Sequence, residues 1–234
     1  MALPSPSTPI YTLTLPTNKK RVKYKPWNGR MEKALQVALI DDDKATIKNT
    51  VQSVIDECTF NTLDVPKLSD VDTDWIITQL RSKSVGEIVE LTTNCTNCEK
   101  PYDIGVNLSD AVVVDVLGDK RNNNIKIDDT ISFKMKLPTK DAVWDYINDA
   151  EATKDDLLVT MIESIYTNDV VENPQNYSKQ ELIDYIDSFN KQSLMEVYQY
   201  IDNLPRVVTT TKAKCRHCKT EHTLRLEGSD FFLN

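Results

Sequence analysis

The stretches Cys95-Thr-Asn-Cys98 and Cys215-Arg-His-Cys218 share one spacing, with two residues between the cysteines of each pair. A tight turn over such a pair directs both thiolates to one point, and its backbone N–H groups can hydrogen-bond to the sulfur atoms. Each pair lies between two strand-like segments, as the pair of a zinc knuckle does. Two facing knuckles supply four thiolates in a tetrahedron, with Zn–S distances of about 2.3 Å. We therefore predict one structural zinc ion bound by Cys95, Cys98, Cys215 and Cys218.

The two pairs are separated by residues 99–214, whereas the pairs of an ordinary zinc ribbon lie much closer together. The simplest interpretation is a ribbon whose two hairpins are split by an inserted helical region. The metal would then bring the C-terminal hairpin back beside the central β region. Because four thiolates leave no open coordination position, such a site stabilises the fold and is not a catalyst.

Other uses of the four cysteines must be weighed against zinc. Disulfides are disfavoured because a CxxC disulfide closes a very short loop, and because five cysteines are an odd number. A rubredoxin-like iron site has the same spacing, although nothing else indicates electron transfer, so iron stays open beside zinc. A thioredoxin-like redox pair would need to open a helix, and neither motif does. We predict that His217 is a surface residue and that His222 is a ligand only in a distorted site.

The N-terminal third predicts a β-hairpin followed by helices. Apolar and polar residues alternate on both sides of a turn-rich link, which indicates a hairpin over residues 10–25. Its cations are predicted to form a solvated strand face rather than a binding site: Lys19, Lys20, Arg21, Lys23 and Lys25. Apolar stripes predict helices over residues 31–39, 47–58 and 70–83, with Asp41, Asp42 and Asp43 as stop and cap between the first two. Cys58 falls on an apolar stripe and is predicted to be an inert buried thiol.

Strand-like segments dominate the middle of the chain and return at its end. Short apolar runs separated by turns predict an antiparallel β region over residues 85–137. Helical stripes follow Pro138, and they cover residues 143–147, 157–165, 182–186 and 194–201. The stretch Ser178-Lys-Gln-Glu181 is a capping box that predicts the start of one of these helices.

The predicted fold class is α+β, with helical segments around a small antiparallel β region that carries a zinc-ribbon-like site of two distant CxxC knuckles. We predict a hairpin and helices in residues 1–84, and the β region with the first knuckle in residues 85–137. A helical insert would occupy residues 138–204, and the hairpin of the second knuckle residues 205–234. Residues 85–137 and 205–234 would together form one discontinuous zinc-ribbon domain.

Charge and hydropathy restrict the partners. The formal net charge is −8, which repels phosphate backbones and anionic lipid and suits partners with basic patches. The sequence has no run of eighteen or more apolar residues, so we predict no membrane span. Residues 1–16 lack both a basic start and a continuous apolar stretch, so we expect no secretory signal and a protein made in a reducing cytosol.

Motifs of catalysis are missing from the sequence. It contains no phosphate-binding glycine loop, no GxSxG and no HExxH, and its two histidines both lie at the second knuckle. Asp155 and Asp156, like the earlier aspartate run, are predicted to be helix caps rather than cation ligands. We predict that the protein is not an enzyme. Four cations surround the second knuckle and keep nucleic-acid binding as an alternative: Lys212, Lys214, Arg216 and Lys219.

Several stretches, taken in order, resemble the baseplate hub subunit family of T-even-type contractile-tailed phages. The most specific is Gln79-Leu-Arg-Ser-Lys-Ser-Val-Gly-Glu-Ile88, which leads into a strand and the first CxxC pair. The others are Met1-Ala-Leu-Pro4, Pro9-Ile-Tyr-Thr-Leu-Thr-Leu-Pro16, Lys25-Pro26-Trp27, Glu32-Lys33-Ala34-Leu35 and Pro138-Thr139.

This resemblance implies a non-enzymatic protein of phage tail morphogenesis, either a hub subunit or a hub assembly factor with a chaperone-like role. It would bind other hub proteins or the tape-measure protein while the baseplate hub is built. The resemblance places the protein in the host cytoplasm during assembly and leaves its presence in the finished virion open. It brings no catalytic residues. The alternative is a zinc-ribbon adaptor that binds nucleic acid.

Overall fold

The computed structural model describes residues 7–41, 43–168 and 170–228, so Asp42 and the stretch Met1-Ala-Leu-Pro4 lie outside the described residues. Helices and small antiparallel sheets alternate along the chain, which confirms the predicted α+β class. Two compact units are present. The first combines residues 1–114 with residues 206–234, and the second comprises residues 115–205. None of the described helices is long and apolar enough to cross a membrane.

The first unit begins with the predicted hairpin, in which β1 (Tyr11–Thr14) pairs antiparallel with β2 (Arg21–Tyr24). The three predicted helices follow: α1 (Gly29–Asp41), α2 (Lys44–Cys58) and α3 (Asp70–Ser84). The Asp43 carboxylate accepts a hydrogen bond from the Thr46 N–H, so it caps α2 as predicted. The hairpin and the helices share one apolar core, formed by residues such as Leu13, Tyr24, Leu35, Ile55 and Leu80.

Cys58 lies in that core and is fully buried. Burial raises the pKa of its thiol to about 11. The prediction that Cys58 is buried is therefore confirmed, and a thiol with a raised pKa favours the predicted lack of reactivity.

Two further hairpins complete the first unit. In the first, β3 (Ile88–Asn94) pairs with β4 (Pro101–Asn107), and in the second β10 (Arg206–Lys214) pairs with β11 (Glu221–Glu227). The short strand β5 (Val112–Val114) pairs with β10, so the C-terminal hairpin lies beside the segment that leaves β4. Strand β10 also contacts β4 and α3. The C-terminal hairpin thus returns to the central β region, as the cysteine spacing predicts.

The second unit combines a four-stranded antiparallel sheet with four helices. The sheet order is β6 (Asn124–Lys126), β7 (Ile131–Met135), β8 (Ile162–Thr167) and β9 (Val170–Glu172). The helices are α4 (Lys140–Asn148), α5 (Lys154–Met161), α6 (Lys179–Asp187) and α7 (Lys191–Asp202). The predicted capping box of Ser178 and Glu181 starts α6. Apolar side chains of the sheet and helices share one core, which includes Phe133, Leu158, Met161, Ile186 and Val197.

One predicted helix is too long. The apolar stripe predicts a helix through Ile165, but α5 ends at Met161 and the chain continues directly into β8. Ile162 takes an extended conformation, and both isoleucines are buried from within a strand. The β-branched and aromatic residues of Ile162-Glu-Ser-Ile-Tyr-Thr favour a strand. The three-residue spacing of the isoleucines fits a helix, but a register shift against β7 at Glu163 lets both be buried from within a strand.

The strands of residues 85–137 are divided among three sheets. β3 and β4 form one hairpin, β5 belongs with β10 and β11, and β6 and β7 belong with β8 and β9. The observed units meet at residues 114 and 115 and at residues 205 and 206. Compact units in a fold do not establish which segments fold alone, so the predicted limits of 1–84, 85–137, 138–204 and 205–234 stay a prediction.

Candidate metal centre

The four cysteine sulfurs predicted to bind a metal lie together in the first unit. The Sγ atoms of Cys95 and Cys218 are 3.5 Å apart, and those of Cys98 and Cys215 are 3.7 Å apart. All four sulfur atoms fall within 4.8 Å of one another. The two CxxC turns therefore face each other across a single point.

Both turns have the same backbone conformation and the same pattern of hydrogen bonds. The N–H of Cys95 donates to the Lys100 carbonyl at 3.0 Å, and the N–H of Cys215 donates to the Thr220 carbonyl at 2.9 Å. The cysteine carbonyls accept in turn, from the N–H groups of Glu99 at 2.8 Å and Lys219 at 2.9 Å. These last two residues have φ of 59° and 63°, in the left-handed region that lets the chain reverse. Each turn so directs both thiols of its pair to one side.

The hairpin of β1 and β2 closes through the same turn without any cysteine. The N–H of Leu15 donates to the Lys20 carbonyl at 2.9 Å, and the Lys19 N–H donates to the Leu15 carbonyl at 3.1 Å. Lys19 has φ of 59°. Leu15 thus occupies the position of the first cysteine of a knuckle, and its side chain is fully buried. The backbone conformation of the knuckle therefore forms without a metal ligand.

Hydrogen bonds and burial shift the pKa values of the cysteine thiols in different directions. The Thr220 hydroxyl, 3.2 Å from the Cys218 sulfur, and the Thr220 N–H lower the pKa of Cys218 to about 5. Backbone N–H groups also lower the pKa of Cys215. The Lys100 N–H lowers the pKa of Cys98, but burial and the neighbouring thiols raise it to about 12. Negative charge is therefore favoured on the second knuckle.

The two knuckles are also joined by groups around the sulfurs. The Asn97 side chain donates to the Thr220 hydroxyl at 3.2 Å, which links the first turn to the second. Nε2 of His222 lies 3.2 Å from the Cys95 sulfur, and its ring centroid is 5.4 Å from that of Tyr102. His222 stands four residues after Cys218, and Tyr102 stands four residues after Cys98.

The sequence predicts His222 only as a ligand of a distorted site, and the contact of its ring with a cysteine sulfur is not predicted. The sequence does contain a signal for this contact. Tyr102 and His222 each stand four residues after the second cysteine of their pair, so the two rings occupy equivalent positions beside the two knuckles. His217, by contrast, is exposed as predicted, and its ring contacts only the neighbouring Arg216 among the described side chains.

The donor set fits a metal ion bound by sulfur. Four thiols around one point match the tetrahedral sites of zinc, in which bond lengths of about 2.3 Å separate the sulfurs by about 3.8 Å. The shortest separations of 3.5 and 3.7 Å agree with this geometry. They are far longer than a disulfide bond of about 2.05 Å, and all five cysteines are free thiols. The cluster could thus hold a metal, and it leaves no position open for a substrate.

The basic residues of the second knuckle are partly neutralised. Lys214 pairs with Glu221 at 2.8 Å, and Arg216 pairs with Asp103 at 3.4 Å.

Asp156 is a helix cap, as predicted, and not a free cation ligand. It pairs with Lys179 at 2.7 Å and caps α5. Nothing in these contacts builds a phosphate-binding groove or a second metal site among these residues.

Comparison with known proteins gives one match. A family model described as T4 bacteriophage base plate protein matches residues 8–234. No curated protein and no solved structure matches the chain.

Proposed function

The chain belongs to the T4 bacteriophage base plate protein family, and from this premise we propose that it is a non-enzymatic hub subunit or hub assembly factor. The match along residues 8–234 carries the proposal, because it covers both units of the fold. In this role the protein acts through protein–protein contacts with hub or tape-measure proteins. It works in the host cytoplasm while the tail is built, as a component of the base plate or as a factor in its assembly.

The cysteine cluster supports a structural role. Zn²⁺ bound by Cys95, Cys98, Cys215 and Cys218 would join two hairpins that are far apart in sequence, and four thiolates leave no position open for substrate. Its contribution would be to fix the surfaces that contact other base plate proteins. Two of the four cations around the second knuckle, Lys214 and Arg216, are paired with carboxylates, which weakens the local positive charge that a nucleic-acid-binding ribbon needs.

Co-expression with the hub and tape-measure proteins of the same phage tests the hub role. We expect a complex that survives affinity purification and size-exclusion chromatography and that contains no DNA. Salt-sensitive retention on DNA, lost when Lys214→Glu and Arg216→Glu are combined, would instead support the nucleic-acid alternative. Failure to bind any hub or tape-measure protein, together with stable binding to another base plate protein, would reject the hub role alone.

His222 is expected to support metal binding as a hydrogen-bond donor. Its Nε2 lies at hydrogen-bond distance from the Cys95 sulfur, and an N–H donated to a metal-bound thiolate stabilises the charge on that ligand. His222→Ala should weaken zinc binding about 10- to 100-fold, the usual effect of removing an outer-shell partner. Competition with a chromophoric chelator measures the affinity.

His217→Ala is the matched control, because it removes an exposed histidine from the same hairpin and should leave the zinc affinity unchanged. Equal affinities for wild type and His222→Ala would contradict the role of His222. That result would leave the four-cysteine site itself intact.

A further inference from the structure

Charge is divided very unevenly between the two units. Residues 115–205 contain 18 carboxylates and nine lysines and arginines, whereas the rest of the chain contains 18 carboxylates and 19 lysines and arginines. The first group therefore carries a formal charge of −9 and the second of +1. The net negative charge of the protein resides in the second unit.

The hairpin of β1 and β2 in the first unit carries a basic face. Residues 7–31 contain six lysines and arginines and no carboxylate. Strand pairing places Arg21 opposite Thr14 and Lys23 opposite Thr12, so these four exposed side chains share one face of the hairpin. Neither Arg21 nor Lys23 has an ion-pair partner among the described residues. An exposed apolar side chain, Ile10 at 62%, directly precedes β1.

Helix α4 of the second unit carries an acidic face. Residues 141–156 contain six carboxylates and one lysine. The inner side of α4 packs on the core through Val143 and Tyr146, while Asp145 and Ile147 are exposed, the isoleucine at 71%. No described cation pairs with Asp145 or with the exposed Glu151 that follows the helix. Asp145 and Ile147 stand two positions apart, about 200° around the helix, so the isoleucine lies on a different side of α4 from the aspartate. The acidic face therefore consists of the exposed, unpaired carboxylates of Asp145 and Glu151.

We propose that copies of this chain associate head to tail, with the basic hairpin face of one copy on the acidic α4 face of the next. The two faces have opposite charge, so the cations of one face match the carboxylates of the other. Because the contacting surfaces differ, the interface is heterologous and leaves one free face at each end of a pair. Repetition of this contact builds a ring if the rotation closes and a filament if it does not.

Sedimentation of the full chain tests this interface. At about 50 mM salt, the average mass should rise above that of a monomer as the concentration approaches about 100 µM, and it should return to the monomer at about 500 mM salt. Reversal of the basic face in Arg21→Glu/Lys23→Glu should weaken association at least tenfold. Reversal of the acidic face in Asp145→Lys/Glu151→Lys should do the same. Ile10→Ser, beside the basic face, should weaken it without any change of charge.

Mixing the two reversed proteins gives the sharpest result. Each is expected to be monomeric alone, but together they present an acidic hairpin to a basic α4 and should assemble again. The control Glu90→Lys/Asp110→Lys makes the same change of net charge as the reversal of the acidic face, at exposed positions of other elements, and should leave association unchanged. A chain that stays monomeric at low salt, or an association that the mixture does not restore, would overturn the proposal.

Discussion

Cys215→Ser is expected to remove the metal and to lower the melting temperature by about 10 °C or more. Wild-type protein should contain close to one zinc per chain, and the variant close to none, because a site of three thiolates binds zinc far more weakly than one of four. A ligand present at about 1,000 times its dissociation constant stabilises by about 4 kcal/mol, and each kcal/mol shifts the melting temperature of a chain of this size by about 2–4 °C. Elemental analysis and thermal unfolding measure the two effects.

Cys58→Ser is the matched control for this substitution. It makes the same chemical change at a buried cysteine outside the cluster, so it should keep one zinc per chain whatever its cost in packing. Iron in place of zinc in the elemental analysis would identify the rubredoxin-like alternative. A wild-type protein without metal, and a Cys215→Ser variant that melts at the wild-type temperature, would refute the structural site.

Leu80→Ala is expected to cost about 2–5 kcal/mol of unfolding free energy. Leu80 lies in α3 and is fully buried among the hairpin and the helices of the first unit, so its truncation leaves a cavity where apolar contacts existed. Denaturant unfolding monitored by circular dichroism gives the change. Leu39→Ala removes the same atoms from the exposed side of α1, where the leucine is 41% exposed, and should cost well under half as much.

A cost below about 1 kcal/mol for Leu80→Ala would contradict the packing described for α3. Zinc content separates this effect from that of the metal site. The Leu80 variant should retain its metal while folded, because no cysteine of the cluster belongs to α3.

Much of the fold follows from local patterns in the sequence. The alternation around residues 10–25, the stripes of the first three helices and the capping box of Ser178 and Glu181 each predict an element that is present. The CxxC spacing predicts which four side chains meet, because one metal needs both pairs. The local signals succeed because each one depends on the geometry of a single turn, helix or strand, whereas the cysteine prediction succeeds because a tetrahedral site needs the ligands of both pairs.

Features that depend on pairing across the sequence could not be predicted in the same way. β5 is three residues long, and only its pairing with β10 places it in a sheet. The isoleucines of β8 fit a helix by spacing, and their burial beside β7 decides the strand. The contact of His222 with Cys95 needs two hairpins in register around the cluster. The uneven distribution of charged residues, in contrast, can be counted in the sequence. It can be assigned to the two units only once the structure gives their bounds.

The turn around Leu15 has a consequence for how metal dependence can change during evolution. A buried leucine and a cysteine of the candidate metal centre occupy the same position of the same turn in one molecule. Hydrophobic burial therefore anchors this turn in one hairpin, where a bound metal would anchor it in the other two. A descendant of the chain could exchange its cysteines for apolar residues one hairpin at a time and keep each turn, so long as burial replaces the bond lost to the metal.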